Sequence, residues 1–235
     1  MLPRRTGRAD RPLEAILLNT AGGITGGDRL SIRASAGPEA ALTLTTQAAE
    51  RAYRAGGPAA GHVATRLEAG AGATLNWLPQ ELILYDGCAL ERRLTVDLAP
   101  GARFLMVEPV LFARDAMGEV LRSGHFRDRI AISRAGQAIY RDGLDLSGPI
   151  SAQLARPGVA AGAGAMASLV LAAPGAEAHL AAIRARLPAT GGASLLAPDL
   201  LTMRLVAGDG HALRASLLPV LDRLTGDGLP RSWRL

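Results

Sequence analysis

LERRLTVDL, residues 90–98, is the stretch from which the fold is read. Leu90, Leu94, Val96 and Leu98 alternate with Glu91, Arg93, Thr95 and Asp97. A period of two puts one set on each face of an extended strand. The pattern recurs outward from it. Leu42 and Leu44 alternate with Thr43 and Thr45, and Phe126, Ile130 and Ile132 with Arg127, Arg129 and Ser133. Turn signals separate these runs at Gly56-Gly57, Gly70 to Gly72, Asp86-Gly87, Pro100-Gly101, Gly136 and Asp142-Gly143. No helical pattern intervenes, which excludes βαβ units and predicts a mainly antiparallel or coiled β-architecture.

Helices are expected late. Leu180, Ile183 and Leu187 share a face between Pro174 and Pro188. Leu213, Leu217, Val220, Leu221 and Leu224 follow behind Asp209, a suitable N-cap, and Pro219 is expected to kink or split that helix. A short helical turn over Leu111–Met117 is a further expectation. The uncharged window Pro157–Ala176 has the length of a membrane span. Its Ala and Gly content, with Pro at both ends, predicts a loop leading into one buried strand, Met166–Ala172. We find no internal repeat. The organisation expected is an Arg-rich tail, residues 1–12, carrying Arg4, Arg5, Arg8 and Arg11, then one domain, residues 13–235.

Composition excludes several function classes. All 26 basic residues among the 235 are arginine, against 21 acidic ones. A chain without lysine has no P-loop phosphate clamp, no Schiff base and no kinase-type ion pair. A single cysteine, Cys88, excludes an internal disulfide framework and a Cys-rich zinc site. A pI near 10.5 raises nucleic acid as a partner, but the arginines are dispersed among Asp and Glu and aromatics are scarce. Neither nucleic acid nor membrane is expected as a partner. One cysteine and no export signal predict the cytoplasm.

The densest motif is Asn19-Thr20-Ala21-Gly22-Gly23-Ile24-Thr25-Gly26-Gly27-Asp28. Gly22 and Gly27 have P-loop spacing, but Asp28 and Arg29 stand where that loop needs Lys and a hydroxyl. We read it as a glycine turn that brings backbone close to something, with Asp28 pointing in. Gly162 to Ala167 mimics a dinucleotide fingerprint, yet a strand follows it where a helix is required. No G-x-S-x-G elbow is present, and His62, His125, His179 and His211 lie far apart in sequence. Trp77-Leu78-Pro79-Gln80-Glu81 sets a polar pair between apolar strands. Glu108 closes the apolar strand Phe104–Val107, and a carboxylate buried there needs a cation, hydrogen bonds or water.

Five blocks together carry a resemblance: LLNTAGGITGGDRL (17–30), TTQAAERAYR (45–54), LNWLPQELILYDGCAL (75–90), MVEPVLFARDAMGE (106–119) and LPRSWRL (229–235). In content and order they resemble the urease accessory protein family UreD, also called UreH, over nearly the whole chain. The resemblance implies a mainly β fold, a β-helix-like stack of strands with two helices near the C-terminus. It implies a non-enzymatic maturation factor that joins UreF and the GTPase UreG on apo-urease and helps insert nickel. The sequence departs from the family in two places. Only eighteen residues precede Asn19, where the family carries further strands; either the start is misplaced or those strands are missing. Ala113 stands where the family has glycine, so that turn is expected to differ.

A nickel carrier must hold Ni²⁺ weakly enough to release it, which favours oxygen donors over clustered His and Cys. On this logic we expect no tightly bound cofactor. A transient nickel path would be lined by Asp28, Glu108, Glu119 and Asp142, with Thr45 and Thr46. Trp233 and Arg231, residue types frequent at interfaces, are expected to meet a helical partner. The competing expectation is a hydrolase-type enzyme whose site forms only in three dimensions, marked by a His–carboxylate pair in a deep pocket.

Overall fold

The computed structural model describes residues 2–4, 12–113 and 118–234. The chain opens with β1 (Leu2–Arg4) and β2 (Leu13–Leu17). It then winds through β3 (Arg29–Ala36), β4 (Ala41–Thr46), β5 (Glu50–Ala52), β6 (Gly61–Ala69), β7 (Thr74–Leu78), β8 (Leu82–Leu84), β9 (Ala89–Leu98), β10 (Arg103–Phe112), β11 (Gly124–Arg134) and β12 (Gln137–Gly148). After α1 (Ile150–Leu154) come β13 (Ala165–Ala172), α2 (Leu180–Arg184), β14 (Gly191–Ala197), β15 (Leu200–Ala207) and α3 (Gly210–Thr225).

The winding is a short solenoid. β3, β6, β9 and β11 stack in parallel, with Arg29 beside His62, His62 beside Glu91 and Glu91 beside Arg127. On the opposite wall β2, β4, β7 and β10 also stack in parallel. Among the described strands, the antiparallel alternative therefore holds only where β12 folds back on β11, where β13, β15 and β14 extend β10, and where β1 pairs with β2. The result is a ten-stranded sheet facing a five-stranded one. Successive coils step by unequal lengths, so this repeat leaves no fixed period in the sequence.

Some expectations are corrected by the structure. Leu2–Arg4 is a strand on β2, where a solvated tail was expected; residues 5–11 lie outside the described set. Leu111 and Phe112 finish β10 and do not start a helix, and residues 114–117 lie outside the described set. β10 also runs through Glu108 and Pro109. Proline is tolerated there because the parallel ladder is interrupted, ending at Met106–Trp77 and resuming at Val110–Leu82. Pro219 does not split α3. The proline and Ala215, whose carbonyl loses its N–H partner, lie on the exposed face, where water can take that carbonyl.

Three apolar clusters hold the molecule. One lies between α3 and the outer face of the ten-stranded sheet, built on Leu213, Leu217, Val220, Leu221 and Leu224 against Leu105, Leu169 and Met203. Each such side chain contributes about 1.5–3 kcal/mol by leaving water. The other two lie between the sheets. One gathers Leu94, Val96, Ile130, Phe104, Met106 and Val170; the second gathers Leu90, Phe126, Leu146, Val110, Phe112 and Met166.

Candidate functional site

What divides those two inter-sheet clusters is a polar seam. Inward positions of β9 read Leu90, Arg92, Leu94, Val96, and those of β11 read Phe126, Asp128, Ile130, Ile132. Each strand is apolar on both sides of one charged residue, and Arg92 and Asp128 are direct neighbours in the ladder. On the opposite wall Glu108 of β10, Ser168 of β13 and Arg204 of β15 form a row across paired strands. Asp142 of β12, paired with Ile130, adds a third carboxylate. The three carboxylates, Ser168 and Arg204 line a crevice of about 10 Å³, close to the space one water needs.

The charges are held by specific partners. Arg92 lays its guanidinium in a fork on Asp128, with Nε at 3.1 Å from one oxygen and Nη2 at 2.7 Å from the other. Its Nη1 pairs with Glu108, and its guanidinium lies 5.8 Å from the Phe126 ring centre. The Trp77 indole N–H donates to Glu108 at 2.7 Å. Burial pushes the Glu108 carboxyl above its ordinary range against the pull of Arg92, while Asp128 adds to the rise. For Arg92, burial opposes the charge, but Asp128 and Glu108 together hold its pKa above the usual value. Nearer the surface Arg204 pairs with Asp142, which also accepts the Tyr140 hydroxyl at 3.2 Å. Among the described residues, no three His, Cys, Asp or Glu side chains form a group that could hold a metal ion. The seam's carboxylates are engaged by arginines.

The seam unites only Glu108 and Asp142 of the residues expected to line a path. Asp28 caps its own turn, its carboxylate accepting from Thr25 N–H at 2.8 Å. The glycines before it allow close approach to the chain itself: a Cβ on Gly23 would lie 2.4 Å from the Tyr53 ring, and one on Gly26 would lie 2.5 Å from the Ala59 carbonyl. Thr45 is fully buried on the α3 side, 3.4 Å from the Ser232 hydroxyl. Thr46 donates to the Ala48 carbonyl and accepts from Gln80 N–H at 2.8 Å. Glu119 lines an open groove of about 490 Å³ with Tyr53, Tyr85 and Arg122.

The chain end also differs from expectation. Trp233 is fully buried, its indole N–H donating to the Leu78 carbonyl at 3.0 Å, and Arg214 stacks on its ring at 5.2 Å. Arg214 also bonds Gln80 and Glu81, which places the Trp77–Glu81 motif at the closure of the chain. Trp233 is therefore core and not an exposed anchor; Arg231 beside it is exposed.

Arg92 and Asp128 were missed in the sequence although their signal is there. Both hold inward phase in strands whose alternation is otherwise apolar. Ser168 and Arg204 carry no such signal, since only the pairing of β13 with β10, and of β15 with β13, sets them in the row of Glu108. His62 and His125, distant in sequence, flank Glu91 at 3.7 and 3.5 Å on the outward face of the five-stranded sheet, all three partly exposed.

A family model described as UreD urease accessory protein matches residues 2–234. The chain belongs to the UreD family. It is 55% identical over 223 residues to the urease accessory protein UreD of Roseobacter denitrificans, covering 95% of this chain and 82% of that protein. It is 54% identical over 238 residues to the same-named protein of Ruegeria sp., covering 98% and 80%. A Rhizobium etli UreD is 48% identical over 228 residues, covering 96% and 83%. The seam therefore lies inside a UreD scaffold matched over nearly its whole length. No described helix is long and apolar enough to cross a membrane, and the uncharged window leads into β13, a fully buried strand.

Proposed function

We propose that this chain is a non-enzymatic urease maturation factor that acts with UreF and the GTPase UreG on apo-urease. In this reading Ni²⁺ passes along the seam, meeting Asp142, Asp128 and Glu108 in turn. The observation that carries it is the line of oxygen donors crossing an apolar core between two sheets. Glu108 and Asp128 are buried and Asp142 is partly so. Buried carboxylates cost a fold stability that apolar residues of similar size would not, and a role in ion passage accounts for their being there. Carboxylate and hydroxyl oxygens exchange Ni²⁺ faster than a His or Cys cluster would, which suits cargo that must leave. Asp28, Thr45, Thr46 and Glu119 stand outside this path. Arg231, exposed at the chain end, remains the candidate partner contact.

The hydrolase reading would need a His–carboxylate pair in a deep pocket, and the His–Glu contacts found here face outward. Co-purification with UreF, UreG and apo-urease, followed by nickel-dependent activation with and without this chain, tests the proposal. Glu108→Gln and Asp142→Asn are expected to lower activation at least about tenfold with UreF and UreG still captured, a loss equal to about 1.4 kcal/mol in rate. Full activation by both variants, or steady turnover of a substrate by the chain alone, would overturn it.

A further inference from the structure

We infer that Arg204 is a displaceable counter-cation that gates the outer end of the seam, while Arg92 is a fixed one that positions Glu108 and Asp128. The inference rests on the conduit reading above and assigns roles within the same site. Exposure rises steadily along the seam, from 4% at Glu108 through 12% at Asp128 and 21% at Asp142 to 47% at Arg204. Arg92 is only 13% exposed and is tied by the Asp128 fork, the Glu108 pair and the Phe126 ring. It has nowhere to go. Arg204 is held in the seam by Asp142, and nearly half of its side chain is open to solvent, so it can swing out.

Charge and space make the same demand. As it stands the seam holds three carboxylates and two guanidiniums. A dication added to that set would leave a net positive charge in a poorly solvated space, which is costly. With Arg204 withdrawn, three carboxylates face one guanidinium and one dication, and the set is neutral. The crevice has room for about one water, so an ion that carries any of its hydration also needs the volume that Arg204 occupies. Withdrawal leaves one Asp142 oxygen with only the Tyr140 hydroxyl at 3.2 Å, while the other still accepts Gly143 N–H at 2.8 Å and keeps the carboxylate oriented. Arg204 therefore competes with the incoming ion for Asp142, and Arg92 keeps the two deeper carboxylates in place for it.

The test uses the full-length chain in complex with UreF, UreG and apo-urease, titrated with NiCl₂. Arg204→Gln and the volume-keeping Arg204→Met are expected to lower the nickel concentration for half-maximal activation about threefold or more, with the plateau retained. Arg204→Lys, which restores the cation, should return the titration toward wild type. Equilibrium dialysis of the isolated chain against radioactive nickel gives a readout without urease: both neutral variants should bind more tightly than wild type. If both titrate and bind as wild type does while Asp142→Asn loses activation, the gate is wrong and the conduit stands. If Asp142→Asn and Glu108→Gln also activate fully, the conduit itself fails. Loss of activation in both neutral variants would likewise overturn the gate, because Arg204 would then be required in place.

Discussion

Ala113 holds a φ of +78° in a buried turn directly after β10. An L-residue in that region is strained by about 1–2 kcal/mol. The turn was expected to change where alanine replaces the family's glycine; instead alanine takes the positive φ. Its N–H donates to the Leu84 carbonyl at 2.9 Å, so the surrounding strands dictate the backbone there. Ala113→Gly should therefore stabilise the chain by about 0.5–1 kcal/mol, the relief of strain exceeding the extra freedom glycine brings to the unfolded state. A urea midpoint that shifts upward with unchanged slope is the expected result. Cys88 is a second residue-scale case. It is buried between β8 and β9 and burial pushes its thiol up to about 11. The thiolate is the reactive form, so the native chain should resist iodoacetamide at pH 8 and add one label only when unfolded, as read by mass.

At the scale of elements, the parallel coils explain how a chain without helical crossovers builds parallel sheets. Each strand turns a corner into the opposite wall and returns one layer on. Corners at Gly72, Gly87 and Gly101 take positive φ, and a Cβ on Gly87 would strike the Arg54 guanidinium. α3 starts where sequence placed it, with the Asp209 carboxylate accepting from Ala212 N–H at 2.7 Å, and ends on Gly226 in the left-handed region. Asp209→Ala should cost about 1 kcal/mol, measured by thermal denaturation, since it orphans a helix N-terminal donor. The same change should leave nickel titration of the complex unaltered, because α3 covers the far face of the ten-stranded sheet from the seam.

At the scale of the whole molecule, the C-terminus returns to seal the solenoid's corner after β7. Trp233 meets the Leu78 carbonyl, and Arg214 gathers Gln80, Glu81 and the Trp233 carbonyl into one buried cluster. Trp233→Ala should remove about 3–5 kcal/mol by emptying this site. Chemical denaturation checks this. A variant as stable as wild type that fails only to capture UreF would return Trp233 to the role of partner anchor. Stability and path also meet in the seam. Removing either member of the Arg92–Asp128 pair leaves a buried charge, a larger loss than removing half-exposed Arg204.

The sequence by itself determined that this chain is mainly β, where its strands LERRLTVDL and MASLVLA lie, that α3 follows Asp209, and which family it resembles. These follow from period-two alternation, turn residues and caps, all local. It also singled out Glu108, because a carboxylate among apolar neighbours is anomalous along one strand. Only the tertiary structure decided that the strands coil in parallel, since pairing joins residues about thirty apart at unequal steps. It alone set Ser168 beside Glu108 and Arg204 beside Ser168, through antiparallel ladders added outward from β10 by the end of the chain. It alone sent Trp233 inward and left Asp28 to its own turn. Alternation fixes the face a side chain takes within its strand, whereas the residue across from it depends on which strands pair, and pairing is a property of the assembled fold.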